Sequence, residues 1–324
     1  MTIVRTKPSS PPVLAVVIPC YNEEEALPAT VARLSSVLSD MVRDGLVSPA
    51  SYLYFVDDGS TDSTWQGLTS AREGADFIRA AKLSRNFGHQ SALLAGLMSV
   101  KAGCDASISI DADLQQDPLA MRQFLQEFAA GADVVFGVRQ DRHSDGGFKR
   151  ITAGIFYRLM NAIGVTIIPN HADYRLLSRR AMEALGEHSE PNMLLRAICA
   201  QLGFRSAIVH FEVVERAAGT TKYSLAKMLK LAIDGITSFS VVPLRLIAAL
   251  GTIIFGATAL MGIYILVRSL IVGDTVPGWA STTLPIYFLG GVQILCLAVI
   301  GEYVAQILTG VRKRPRYIIE DELP

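Results

Sequence analysis

The sequence predicts an α/β domain built on a mainly parallel sheet, followed by two apolar helices near the carboxyl end. Three observations carry that expectation. Over the first 140 residues, short β-rich runs alternate with amphipathic stretches of helical period, the pattern of successive βαβ units. Those runs end in polar clusters rich in Asp, Asn and Gly, and in an open parallel sheet ligands bind outside the carboxyl ends of the strands. Finally, 50% of the 324 residues are hydrophobic and the mean hydropathy is +0.34. One α/β domain leaves apolar material over, and the surplus falls late in the chain.

The elements follow in order. Val13 to Ile18 reads as the first strand, Pro19 to Glu23 as its loop, and Glu24 to about Leu38 as an amphipathic helix. Tyr52 to Val56 is the second strand, ending in Asp57-Asp58-Gly59-Ser60-Thr61-Asp62, where Thr61 or Asp62 can cap the next helix. Lys82 to Ser84 is a third strand, feeding Arg85-Asn86-Phe87-Gly88 and a helix from about Gln90 to Lys101. The fourth runs from Ser107 to Ile110, and Asp117 caps a helix begun by Pro118. Val134 to Val138 is the fifth.

The fourth strand runs directly into Asp111-Ala112-Asp113-Leu114-Gln115. Carboxylates at i and i+2 of an extended segment point to the same side, so a strand-end pair can share a divalent cation and the phosphates it carries. The parallel-sheet rule gathers Glu23, Asp57, Asp58, Asp111, Asp113 and Arg139 on one rim. Each alone could be a cap or turn residue, but carboxylates at successive strand ends point to one site. No GxGxxG follows the first strand, and no GxxxxGK[ST] loop occurs, so the glycines spell neither the dinucleotide fingerprint nor a phosphate loop.

Leu246 to Val267 is a charge-free run of 22 residues, roughly 33 Å as a helix, which matches a hydrocarbon core of ~30 Å. Leu284 to Val311 is comparable, interrupted only by Glu302. An acid there is costly in lipid and marks a functional or interfacial position. Lys222, Lys227, Lys230 and Arg245 precede the first run, and Arg312, Lys313, Arg314 and Arg316 follow the second. That bias predicts cytoplasmic termini and a short external loop. Two further stretches, 148–163 and 224–240, have basic amphipathic character suited to a membrane interface. The formal net charge of +0 argues against nucleic acid as a partner. Cys20, Cys104, Cys199 and Cys296 form no CxxC pair and read as reduced packing residues. No signal peptide is expected, since the apolar run to Cys20 is short and meets Asn22 and three glutamates.

Pro19-Cys20-Tyr21-Asn22-Glu23, Val56 to Asp62, Ser84 to Gly88, Asp111 to Gln115 and Gly301-Glu302-Tyr303 occur in this order. Together they resemble the family 2 glycosyltransferases of GT-A fold, in particular the polyprenyl-phosphate enzymes of the bactoprenol glucosyltransferase and dolichyl-phosphate mannose synthase type. The resemblance spans nearly the whole chain. It implies a cytoplasmic GT-A domain over 1–223, a juxtamembrane helix over 224–240, transmembrane helices near 243–268 and 284–309, and a cytoplasmic tail at 312–324. It implies that Pro19, Tyr21, Glu23, Asp57, Asp58, Arg85, Asp111 and Ala112 hold the nucleotide, while Asp113 and Gln115 bind Mg²⁺ or Mn²⁺. Arg139, Arg175, Arg216, Thr221 and Lys222 would surround the acceptor phosphate. Asp111, Asp113, Asp173 and Arg216 would serve catalysis, Asp173 as base or as acceptor guide. Gln116-Asp117 departs from the family's usual turn and leaves its geometry open.

The implied reaction is inverting transfer of a hexose from a UDP-sugar, glucose before other sugars, to undecaprenyl phosphate at the bacterial inner membrane. The lipid bilayer is thus a partner, and a homo-oligomer stays open. GDP-mannose, UDP-galactose, UDP-GlcNAc and UDP-aminoarabinose derivatives are the alternative donors. A processive synthase is disfavoured by two spans and by the lack of a Gln-x-x-Arg-Trp motif. An Asp-dependent phosphatase would leave the earlier loops unexplained. A membrane-anchored nucleotide-sugar binder without turnover is the reading of another class.

Overall fold

The computed structural model describes residues 10–139, 171–188, 195–212, 279–312 and 314–324, with isolated helical positions between 247 and 264. Two compact units divide the chain. Met1–Asn161, Thr166–Lys222 and Arg314–Pro324 form one, and Ala162–Val165 and Tyr223–Lys313 the other.

Among the described residues, the first unit carries an eight-stranded sheet of order β7-β5-β6-β4-β1-β2-β3-β8. β1 (Leu14–Cys20) lies between β2 (Tyr52–Asp57) and β4 (Ala106–Ser109), parallel to both, and β3 (Ile78–Leu83) continues the parallel set beside β2. β1 and β2 are buried throughout, as apolar strands covered on both faces must be. On one face Leu14, Val16 and Ile18 join Leu34 and Met41 of α1 (Leu27–Arg43) and Phe124 of α4 (Met121–Ala129) in the core. On the other, α3 (His89–Val100) approaches through Gly96, where an added Cβ would lie 2.5 Å from Val17 and 2.8 Å from Val56. Any side chain there would push the helix off the sheet. α2 (Thr64–Gly74) connects β2 to β3.

Three features depart from the expected layout. β6 (His171–Ser178) is antiparallel and sits between β4 and β5 (Val134–Arg139), while β7 (Ser206–Phe211) extends the sheet parallel to β5. The buried strand β6 carries Asp173 and Arg175, and their charges hide the apolar alternation that would announce it. The third strand begins at Ile78, earlier than expected, because Arg79 and Lys82 interrupt its apolar run. Residues 312–324, expected to be a tail, contain β8 (Ile319–Leu323), the edge strand antiparallel to β3. Short helices α5 (Arg179–Glu187) and α6 (Leu195–Gln201) follow β6.

In the second unit, α7 (Trp279–Val311) runs for 33 residues with Pro285 inside it. Ile253, Leu260, Ile286, Leu297, Ile307 and Val311 are exposed large apolar residues of this unit. Among the described residues, no helix is long and apolar enough to cross a membrane. The expected span at 243–268 falls largely outside the described residues, and the one at 284–309 falls on α7. The expected interfacial helices at 148–163 and 224–240 also lie outside them.

Candidate active site

The carboxyl ends of β1, β2, β3 and β4 supply four loops, and hydrogen bonds tie them in pairs. Asn22 adopts the left-handed conformation, with φ 53°. Its side-chain oxygen accepts from the Thr61 N–H at 2.9 Å, and its own N–H donates to Ser60 Oγ at 2.9 Å. Glu24 Oε2 accepts from the Ser63 N–H, while Asp62 Oδ2 accepts from the Glu24 N–H. Asp62 Oδ1 accepts from the N–H and hydroxyl of Thr64, the first residue of α2; the N-cap position itself is Ser63, not Thr61 or Asp62, and it makes no side-chain cap bond. The Pro19–Glu23 loop is thereby set against the Asp57–Asp62 loop. Pro19 is buried in β1, Tyr21 is 44% exposed, and the Glu23 N–H is engaged by Thr64 Oγ1.

Adjacent aspartates do different work. Asp58 Oδ1 and Oδ2 accept from the N–H groups of Phe87 and Gly88, at 2.7 and 2.9 Å, so its carboxylate holds the third loop in place. Gly59, with φ +65°, makes this approach possible: a Cβ there would stand 2.4 Å from the Arg85 carbonyl carbon. Arg85 folds over the Phe87 ring at 3.9 Å. Asp57 is fully buried, and Oδ1 accepts from the Ser60 N–H at 3.1 Å. Among the described residues its Oδ2 has no hydrogen-bond partner, and burial raises its pKa despite the Ser60 bonds. A buried, unpaired carboxylate oxygen is costly unless a ligand N–H or hydroxyl meets it.

The DXD loop is held from below. Ala112 is buried, and its carbonyl accepts from Thr30 Oγ1 of α1 at 2.6 Å. Gln116, 1% exposed, donates from Nε2 to Asp111 Oδ2 and accepts the Asp111 N–H. Leu114 takes a left-handed φ of 52°, and Asp113 Oδ1 accepts from the Gln115 N–H at 3.1 Å. Tyr174 of β6 donates its hydroxyl to the Asp117 carbonyl, and Asp117 caps the following turn at Leu119. The Gln116 departure thus has a function: it clamps the first aspartate and leaves Asp113 and Gln115 half-exposed.

Asp113 and Gln115 offer hard oxygen donors, the chemistry Mg²⁺ and Mn²⁺ require. Among the described residues no group of three or more His, Cys, Asp or Glu forms a metal cage. By the chemistry of their oxygen donors, Asp113 and Gln115 fit an ion that would take its remaining ligands from phosphate and water oxygens.

β6 brings a second cluster to this rim. Asp173 is 5% exposed and Arg175 1% exposed, and they form an ion pair. Arg196 of α6 donates to the same carboxylate from Nε at 3.1 Å and Nη2 at 2.8 Å, and Gln90 donates at 3.1 Å. His89 Nε2 lies 3.6 Å from Asp173 Oδ2 and 3.5 Å from Asp111 Oδ1. Burial pushes the Asp173 pKa up, but His89 and the two guanidinium groups overcome it and hold the carboxyl well below its usual range. Such a carboxylate is a poor general base. Burial opposes protonation of His89, yet the Asp173 bond and the Asp111 and Asp173 charges leave its pKa raised. For Asp111, burial raises the pKa and His89 offsets it only in part.

The expected acceptor cations separate. Arg175 is enclosed, bonded to Asp173 and to Cys199 Sγ at 3.3 Å, so it buttresses Asp173 instead of facing a lipid phosphate. Arg139 ends β5, half-buried, opposite Phe211. Arg216, Thr221 and Lys222 lie outside the described residues. His89, Gln116 and Arg196 were missed as site residues. The legible signal for Arg196 was one arginine within the apolar Leu194-Leu195-Arg196-Ala197-Ile198 run, a charge that needs a partner.

A mostly parallel sheet with a DXD loop and further acids at its strand ends defines an α/β enzyme of GT-A-like fold. Residues 15–186 match the family described as Glycosyl transferase family 2. The chain belongs to that family and is a glycosyltransferase. It is 45% identical over 314 residues to the uncharacterized glycosyltransferase YkoT of Bacillus subtilis (strain 168), covering 97% of this chain and 93% of the relative. It is 35% identical over 311 residues to the SfII prophage-derived bactoprenol glucosyl transferase of Shigella flexneri, covering 95% and 97%. Among solved structures, glucosyl-3-phosphoglycerate synthase from Mycobacterium tuberculosis, in complex with Mn²⁺, UDP and glucosyl-3-phosphoglycerate, aligns with TM-score 0.45 and 19% identity. The alignment covers 70% of this chain and 78% of that one.

Proposed function

We propose that this glycosyltransferase moves glucose from UDP-glucose to undecaprenyl phosphate, with inversion, at the cytoplasmic face of the membrane. The observation that carries the reading is the 35% identity, over 95% of the chain, to enzymes named bactoprenol glucosyl transferase. The site is consistent in chemistry. Asp57 Oδ2 offers an unpaired acceptor to a donor N–H or hydroxyl. Asp113 and Gln115 would hold Mg²⁺ or Mn²⁺, which neutralises diphosphate charge when bound. Pro19, Tyr21, Glu23, Arg85 and Ala112 would line the nucleotide around them.

In the reaction, an oxygen of the lipid phosphate forms a bond to the anomeric carbon as the bond from that carbon to the UDP oxygen breaks. UDP carries away the electron pair. A phosphate monoester has a second pKa of about 6 and is already largely dianionic at neutral pH, so no side chain must deprotonate it. Asp173, neutralised by arginines, fits that requirement. Positioning and charge compensation carry the rate, with Arg139 and the Arg216, Thr221 and Lys222 segment as acceptor ligands.

The apolar runs near 243–268 and 284–309 would anchor the enzyme as a two-span hairpin, with basic residues Arg312, Arg314 and Arg316 at its cytoplasmic exit. Exposed Leu260, Ile286, Leu297 and Val311 are costly in water and suited to lipid. Because β8 pairs with β3, the chain leaves the catalytic unit before residue 223 and returns to it after 313, which favours an even number of crossings. Purified protein given UDP-glucose, UDP-galactose, UDP-GlcNAc or GDP-mannose with undecaprenyl phosphate and Mg²⁺ or Mn²⁺ tests the proposal. Mass spectrometry should find a hexosyl phospholipid with UDP-glucose foremost; a product from another donor alone would overturn the glucose assignment.

A further inference from the structure

Asp173 has more cationic partners than its charge requires. Arg175, enclosed at 1% side-chain exposure, already neutralises it from within the protein. Arg196 reaches the same carboxylate with Nε and Nη2, yet its side chain stands 42% exposed. An arginine recruited only to balance a buried acid would be expected to be enclosed like Arg175. Arg196 instead spans from the buried carboxylate to solvent, and that same carboxylate lies 3.6 Å from His89 Nε2, itself 3.5 Å from Asp111 of the DXD loop. Two hydrogen bonds donated to one carboxylate fix the plane of the Arg196 guanidinium and lower the entropy lost when a further oxyanion binds.

We propose that Arg196 is a phosphate-binding residue of the active-site rim, with Asp173 as the positioning residue that aims it. The inference rests on the glycosyl-transfer reading and adds a ligand to it. The chemistry is that of a phosphate oxyanion, supplied by the donor diphosphate or by the acceptor monoester. A planar guanidinium suits both, and charge-assisted bonds of this kind change affinity by about ten- to hundredfold.

The test uses the full chain in detergent, comparing wild type with Arg196→Ala and Arg196→Lys. UDP affinity with Mn²⁺ is read by calorimetry, and KM and kcat for undecaprenyl phosphate by steady-state assay with UDP-glucose; thermal unfolding reports folding. Arg196→Ala should lose about ten- to hundredfold in one phosphate reading and leave the other within about threefold. A loss in UDP affinity assigns the donor diphosphate, and a loss confined to acceptor KM assigns the lipid phosphate. Arg196→Lys, which keeps a charge beside Asp173, should recover part of the loss. If the alanine variant does not fold, the lysine variant decides, with a several-fold defect in one reading expected from the lost fork. Wild-type UDP affinity and wild-type acceptor kinetics in a folded variant would overturn the proposal, as would equal losses in both readings that follow the fall in unfolding temperature. Wild-type protein that binds UDP without transferring glucose would instead overturn the functional reading, and the calorimetric arm alone would then decide Arg196.

Discussion

Asp111 and Gln116 exchange two hydrogen bonds: Gln116 Nε2 donates to Asp111 Oδ2 at 2.6 Å, and the Asp111 N–H donates to Gln116 Oε1 at 3.1 Å. The amide is 1% exposed, so its own polar atoms lie out of water, where one left without a partner costs about 1–3 kcal/mol. Gln116→Glu replaces the donor with a second carboxylate beside Asp111. Turnover should fall by at least about tenfold, while Gln116→Asn, too short to make both bonds, should lie between. Wild-type turnover in the glutamate variant, measured at saturating donor, would remove the clamp from the account.

Gly59 offers a test of how the second and third loops are joined. Its φ of +65° and the 2.4 Å approach of the Arg85 backbone leave no room for a methyl group. Gly59→Ala should break the Asp58 bonds to Phe87 and Gly88, lower stability by about 1–3 kcal/mol and weaken UDP binding. Denaturant melts and UDP calorimetry read both. A variant of unchanged stability and affinity would show that the loops are not coupled.

The edge strand β8 should matter to the donor loop, although it is far away in sequence. The Ser84 N–H donates to the Ile318 carbonyl at 3.0 Å, and Lys82 pairs with Glu320 at 3.3 Å. Ser84 opens the Arg85–Gly88 loop that Asp58 holds. Deleting residues 318–324 should therefore lower UDP affinity several-fold in protein that still folds, whereas Glu320→Ala alone should cost little, since an exposed pair contributes only ~0–1 kcal/mol. Full UDP affinity after the deletion would show that β8 serves only as an edge cover.

The His89 contacts predict a pH signature. His89 faces Asp111 of the loop after β4 and Asp173 of β6, and Arg196 of α6 and Gln90 of α3 bind that same Asp173 carboxylate. Its folded pKa is raised, so its contribution to stability is complete below the unfolded value of about 6.5 and is lost as pH rises through the folded value. Asp173 has the opposite sign: its depressed pKa stabilises above about 3.8 and fails only in stronger acid. Chemical unfolding of metal-free protein should show stability declining above pH ~6.5, and His89→Gln should flatten that slope. An identical slope in the variant would assign the effect to another group.

Much of this site could be read from the chain because it consists of contiguous loops at strand ends. Asp57, Asp58, Asp111 and Asp113 each follow an apolar run, and parallel pairing brings such ends together without knowledge of side-chain detail. Their division of labour was not legible. Whether Asp58 or Asp57 is satisfied depends on the backbone of Phe87 and Gly88, 29 and 30 residues away. The second cluster was harder still, since Asp173 sits on an antiparallel strand inserted between β4 and β5, and its partners come from α3 and α6. Arg175 looked like a phosphate ligand because a buried arginine and a binding arginine have the same letter; only its 1% exposure separates them. β8 escaped notice because Ile319-Glu320-Asp321-Glu322-Leu323 has the charge of a solvated tail and the pairing of an edge strand.

The central claim is that the lipid phosphate attacks the sugar directly, and stoichiometry tests it best. Purified enzyme with UDP-glucose and Mg²⁺ should release almost no UDP until undecaprenyl phosphate is added, and then one UDP for each glucosyl lipid formed. Asp113→Asn, which removes a charge from the cation site, should lower that coupled rate by orders of magnitude without unfolding the protein. UDP and free glucose released at the same rate with or without the lipid, or UDP-glucose binding with no turnover at all, would contradict the account.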